Sequence, residues 1–96
     1  MTGIPREILA RWAASKPTIK ALYVFGSRAD GTAHARSDLD LAFDFVGVDE
    51  PLAELIDNAA RWKAELSRLT GIVVKDMYLS EDEPAQGPRV LVFSRS

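Results

Sequence analysis

The spacing of apolar side chains along this chain switches between two periods, and the switches mark the elements. From residue 4 to residue 15 they recur at helical spacing, with Ile8, Leu9, Trp12 and Ala13 on one face and Pro5 suited to a first helical turn. Pro17 ends that helix, and residues 16 to 18 connect it to a strand. Ile19 to Phe25 then alternates, Ile19, Ala21, Tyr23 and Phe25 on one face and Lys20, Leu22 and Val24 on the other. Beyond Lys20 both faces are apolar, as a central strand requires. Residues 28 to 36, RADGTAHAR, are small and polar and are interrupted at Gly31, which predicts one helical turn followed by a loop. A second strand runs from Leu39 to Phe45.

After the connector VGVDEP, Asp49 or Glu50 is placed to cap a helix with Pro51 in its first turn. That helix runs to about Thr70. Its apolar stripe is Leu52, Leu55, Ile56, Ala59, Trp62, Leu66 and Leu69, and Glu54, Asp57, Arg61, Lys63, Glu65 and Arg68 mostly face water. Gly71 terminates it. Both tryptophans lie on apolar stripes, so they read as packing residues. Ile72 to Leu79 follows as an interior strand, with Ile72, Val74, Asp76 and Tyr78 on one side and Val73, Lys75, Met77 and Leu79 on the other. The tail holds an acidic, turn-prone segment and a last strand from Arg89 to Phe93.

The chemistry concentrates between Tyr23 and Phe45, YVFGSRADGTAHARSDLDLAFDF. Strand alternation places Asp38 and Asp40 on one face, about 6.6 Å apart along the chain, with Leu39, Leu41 and Phe43 on the other. Two carboxylates this close repel unless a cation joins them, and all-oxygen ligands select a hard ion, Mg2+ or Mn2+. Gly26-Ser27 closes the preceding strand, where backbone N–H groups and a hydroxyl can converge on a phosphate. Arg28 either adds charge to that phosphate or stays in solvent, and Ser37 either aims Asp38 or simply starts the strand. Asp76, between Val74 and Tyr78, needs a partner if buried, and the metal held by Asp38 and Asp40 is the natural one; the alternative is an edge-strand aspartate paired with Lys75 or an arginine. Asp44 shares their parity but lies about 13 Å beyond Asp40, too far for the same ion. His34 reads as a solvated bystander, and Glu81, Asp82 and Glu83 as a solvated loop.

Gly26-Ser27, ten intervening residues and Asp38-Leu39-Asp40 resemble the GSx10DxD signature of the DNA polymerase β-like nucleotidyltransferase superfamily, in its minimal nucleotidyltransferase (MNT) branch. The resemblance covers most of the chain. It implies an α/β (α+β) nucleotidyltransferase fold, a mixed, twisted sheet packed against helices in one domain spanning residues 1–96. It also implies that Asp76, on the strand after the long helix, is the third carboxylate. Asp38, Asp40 and Asp76 would then bind two Mg2+ ions and act in catalysis, with Gly26, Ser27, Arg28 and Ser37 on the nucleotide. The implied reaction moves AMP from Mg-ATP to a hydroxyl, and in many MNT domains the acceptor is a tyrosine of an all-helical HEPN-type toxin. Two alternatives stand beside it: a non-catalytic antitoxin or subunit acting by contact, and the catalytic piece of a split small-molecule nucleotidyltransferase.

Composition narrows this further. Ninety-six residues suit one domain, and a net charge of −2 with a pI near 5.3 argues against nucleic-acid binding through surface charge. Cysteine is absent, which excludes disulfides and thiol chemistry. No apolar run has the length of a membrane span and no signal-peptide core is present, so a cytoplasmic location is the expectation. The P-loop pattern GxxxxGK[ST] does not occur, and the acids come with a phosphate-type turn that a glycosidase would not need. Whether the chain self-associates is left open.

Overall fold

A computed structural model describes residues 3–31 and 38–95. Four strands form one sheet in the order β3-β2-β1-β4, where β1 is Ile19–Phe25, β2 Leu39–Phe45, β3 Val74–Leu79 and β4 Arg89–Ser94. β1 runs antiparallel to both β2 and β4. β2 and β3 are parallel, which requires a crossover, and the 20-residue helix α3, Pro51–Thr70, supplies it. Helix α1, Arg6–Ala14, precedes the sheet, and a single turn, α2, Ser27–Asp30, follows β1. The result is a mixed sheet with helices, the fold class read from the sequence. No helix among the described residues is long and apolar enough to cross a membrane.

One face of the sheet is covered. Leu22, Val24, Leu39, Leu41 and Phe43 meet Leu9, Trp12 and Ala13 of α1 and Leu55, Trp62 and Leu66 of α3 in the main core. Both tryptophans are core residues, as their stripes predict. Their rings meet edge to face at 5.4 Å, and Phe43 stacks on Trp62 at 5.7 Å. Trp12 keeps its indole N–H satisfied by donating to Glu65 at 2.9 Å, and Lys16 reaches the same carboxylate at 3.1 Å. Glu65 is therefore a clasp between α1 and α3 where the periodicity had it facing water. Glu54 likewise accepts a 2.8 Å hydrogen bond from Thr18.

Several sequence expectations change. The buried stripe of α3 is narrower than its periodicity, because Leu52, Ile56 and Leu69 are half or more exposed, and Ile8 on α1 is 39% exposed. A four-stranded sheet gives a long helix one line of contact, so outer apolar positions overhang it. Glu50 is the N-terminal cap residue of α3, but its side chain makes no capping hydrogen bond. Gly71 does end α3 in the left-handed region, at φ 72°. β3 lies at an edge of the sheet and not in its interior, while β1 is central as expected.

Of the three register shifts in the sheet, two move side chains off the faces that strict alternation gives them. One, between Ile19 and Ala21, sends Ile19 into the main core, away from the face of Tyr23 and Phe25 that strict alternation assigned it. The other lies in β3. Val74 pairs with Leu39, but the next pair is Asp76 with Asp40, so Lys75 is an extra residue. Val74 therefore joins the main core while Asp76 faces the other way, although plain alternation had them side by side.

Candidate active site

The uncovered face carries a second, smaller cluster, Phe25, Ala42 and Ala85 with Tyr23 and Tyr78 around it. Asp40, Asp44 and Asp76 share this face through their strand parity and pairing. Carboxylates accumulate on it because the helices shield the opposite side only.

Asp40 is the centre of the arrangement. It pairs with Phe25 across β1 and β2 and with Asp76 across β2 and β3, so the end of β1 and the bulged start of β3 converge on it. Burial raises its pKa first, and the neighbouring charge of Asp76 together with a side-chain hydrogen bond between the two acids raises it further. The charge of Lys75 and the main chain of Asp76 pull the other way. Oδ1 of Asp40 is buried and has no hydrogen-bond partner. A buried acceptor left unsatisfied beside a second carboxylate is a place that a cation could fill.

Gly26 forms the opposite wall. Its backbone sits at φ 75°, ψ −152°, a region open in practice only to glycine. A Cβ built there would lie 2.4 Å from Oδ2 of Asp40. Gly26 is thus required twice, by its dihedrals and by the carboxylate against its Cα. Ser27 follows at the start of α2, half-buried. With four residues, α2 contributes little dipole, so any anion here relies on Ser27 and local N–H groups more than on helix polarity.

The remaining expected residues fall as follows. Arg28 is buried, and its Nη1 donates to the carbonyl of Gly3 at 2.9 Å, so it does not extend into solvent. Asp38 immediately precedes β2 and is half-buried. Among the described residues no three acidic, histidine or cysteine side chains are grouped closely enough to hold one metal ion, so the close pair is Asp40 with Asp76. Ser37 and His34 lie outside the described residues. Asp44 is committed elsewhere: it accepts from Tyr23 Oη at 3.0 Å and from the Ser80 hydroxyl. Burial and that bond to Asp44 raise the Tyr23 pKa, with Arg89 opposing. In the acidic tail, Asp82 accepts from the Leu79 amide at 3.1 Å and closes a turn.

Comparison with known proteins decides the family. The pattern described as Polymerase beta, Nucleotidyltransferase matches residues 7–84. The chain belongs to that nucleotidyltransferase family. A curated relative, the protein adenylyltransferase MntA of Shewanella oneidensis, is 38% identical over 47 residues, 49% of this chain and 29% of that protein. The match therefore spans under a third of the relative's length. Among solved structures, a toxin-antitoxin crystal structure with AMP-PNP superposes with a TM-score of 0.71 at 16% identity, covering 97% of this chain and 76% of that one. A Sulfolobus solfataricus protein assigned to the nucleotidyltransferases superposes with a TM-score of 0.57 at 31% identity, over 94% of this chain and 77% of the other. The first of these, at its low identity, speaks for the fold.

The structure brings Gly26, Asp40 and Asp76 together across neighbouring strands, a meeting that sequence spacing does not display. Alternation alone cannot reveal a bulge. The available sign was the Lys75-Asp76 pair interrupting an otherwise apolar strand.

Proposed function

We propose that this nucleotidyltransferase transfers AMP from ATP to a hydroxyl, and that the acceptor is a tyrosine of an all-helical, HEPN-type partner protein. The observation that carries the reading is the Asp40–Asp76 pair set against Gly26, with an unsatisfied buried oxygen on Asp40. The match to a protein adenylyltransferase supports adenylyl as the group moved and a protein as its recipient. The toxin-antitoxin neighbour with AMP-PNP supports an adenine nucleotide and a toxin partner, which would make this chain the antitoxin.

The donor set fits Mg2+ or Mn2+, because carboxylate oxygens suit hard cations and one of them lacks any other partner. Asp40 and Asp76 would hold one ion, and Asp38, immediately before β2, would share a second with Asp40. Bound there, divalent ions would neutralise phosphate charge and lower the pKa of the attacking hydroxyl. Gly26 lets the main chain approach the triphosphate closely, and Ser27 donates its hydroxyl to a phosphate oxygen. The acceptor oxygen bonds to the α-phosphorus, the bond to the bridging oxygen breaks, pyrophosphate leaves with the electron pair, and the hydroxyl proton passes to water. No side chain of this chain becomes covalently modified. Catalysis rests on positioning and charge.

The test is incubation of the full chain with Mg2+, α-labelled ATP and a helical partner, followed by mapping of the label. Label on a partner tyrosine, abolished by Asp40→Ala, is the expected result. No transfer and no Mg-dependent nucleotide binding would reject the reading. Full neutralisation of the partner by Asp40→Ala would replace it with an antitoxin that acts by contact.

A further inference from the structure

Lys75 has no role in the strand ladder. The five pairs between β2 and β3 are Leu39 with Val74, Asp40 with Asp76, Leu41 with Met77, Ala42 with Tyr78 and Phe43 with Leu79. Removing Lys75 from the chain would leave every pair intact and every side chain on its present face, in a regular ladder without a bulge. The bulge therefore does not aim Asp76; a regular strand would do so equally well. What the extra residue adds is its own side chain, an exposed cation placed between a core valine and a site carboxylate. Bulges disrupt pairing locally and are rare between parallel strands, so the insertion carries a cost that the fold does not need.

Among the described residues, the two arginines near the site have work elsewhere. Arg89 donates to the carbonyls of Ser80 and Ala85 and lies 4.5 Å over the Tyr23 ring. Arg28 is buried and bonded to Gly3. Lys75 is exposed, and its charge is felt at Asp40 across the strand pair. An exposed ammonium whose charge reaches Asp40, with no ion pair among the described residues to hold it, can turn to an anion arriving at the same place.

We infer that Lys75 is a specificity residue that binds the terminal phosphates of the nucleoside triphosphate at the Asp40–Asp76 site. This rests on the nucleotide site proposed above. A monophosphate lacks the oxygens Lys75 would reach, so the residue discriminates the triphosphate donor from the AMP portion that is transferred.

The experiment compares the wild-type chain with Lys75→Met, Lys75→Arg and a deletion of Lys75, titrating each with a non-hydrolysable ATP analogue and with AMP in Mg2+, alongside thermal melts. Lys75→Met is expected to weaken the analogue by about 10- to 100-fold, the worth of a charge-assisted hydrogen bond, with AMP affinity within about twofold of wild type. Lys75→Arg should recover most of the loss. The deletion should melt at or above the wild-type temperature and match the methionine variant in binding. Unchanged analogue binding by Lys75→Met, or equal losses for analogue and AMP, overturns the inference while leaving the nucleotide site standing. A wild-type chain that binds neither ligand overturns the nucleotide site itself, and the inference with it.

Discussion

Replacing Gly26 by alanine tests the geometry of the site without touching a charge. Two costs are expected. The backbone must hold φ 75°, ψ −152° with a Cβ present, a conformation worth about 1–3 kcal/mol of strain for a non-glycine residue. The new methyl also meets Oδ2 of Asp40 at 2.4 Å and its Cγ at 3.3 Å, an overlap that displaces the carboxylate and costs about 1–3 kcal/mol more. Together these predict a loss of about 2–6 kcal/mol, which at roughly 4–8 °C per kcal/mol for a chain of this size is a fall of at least about 8 °C in Tm. Gly31 is the control: its φ is 83°, but nothing lies within 4 Å of its Cβ position, so Gly31→Ala should cost only about 1–2 kcal/mol. Chemical denaturation of the wild type, Gly26→Ala, Asp40→Ala and the double variant completes a cycle. Asp40→Ala removes Oδ2 and Cγ and leaves only the 3.6 Å contact to its Cβ, so the double variant should recover about 1–3 kcal/mol of the sum of the single losses. A coupling below about 0.5 kcal/mol would mean that Gly26 does not pack on that carboxylate, and the wall of the proposed site would be gone.

The other predictions follow from the same residues. A carboxyl whose folded pKa is raised binds its proton more tightly in the folded state, so the stability linked to Asp40 is present at acid pH and is lost as pH rises from the unfolded carboxylate value through the folded one. Asp40→Asn should therefore melt above the wild type at neutral pH without metal, with the difference vanishing at low pH; a variant less stable at neutral pH would refute this. Glu65 has the opposite sign, its pKa lowered by the hydrogen bonds from Trp12 and Lys16, so its contribution exists above the unfolded value and is lost as pH falls through the folded one. Glu65→Ala should cost about 1 kcal/mol at pH 7 by urea denaturation and nearly nothing at low pH. Asp44→Ala should destabilise by about 1–3 kcal/mol through its bonds to Tyr23 and Ser80, yet leave Mg-nucleotide affinity within about twofold by calorimetry. Chelation by EDTA should lower the Tm of a Mg2+-loaded wild type and leave Asp40→Ala unmoved.

The elements were legible because each one carries a strong local signal. β1 and β2 match their predicted bounds to the residue, since Pro17, Gly26 and the turn chemistry at Gly47 leave the strands no room to slide. Helix α3 matches as well, closed by Pro51 and Gly71. Face assignments failed where a strand departs from a period of two. Ile19 and Val74 were each put on the wrong face by a register shift that depends on the neighbouring strand and has no local signature. The breadth of the α3 stripe failed for a related reason, because how far apolar residues at Leu52, Ile56 and Leu69 reach toward a sheet depends on its width.

The same limit explains why the acids were paired differently in sequence than in space. Spacing along β2 made Asp38 and Asp40 the obvious pair, since two residues apart on one strand is the only proximity that a sequence displays. Across a parallel pair the strands lie about 4.8 Å apart, closer than the roughly 6.6 Å between alternate residues of one strand. A carboxylate on β3 opposite Asp40 is therefore a nearer neighbour than Asp38, and it is Asp76 whose charge Asp40 feels. The electrostatic strain of the site accordingly runs across the sheet. It depends on α3 completing its crossover and bringing β3 alongside β2, so the acidic pair cannot form until the long-range part of the fold has formed.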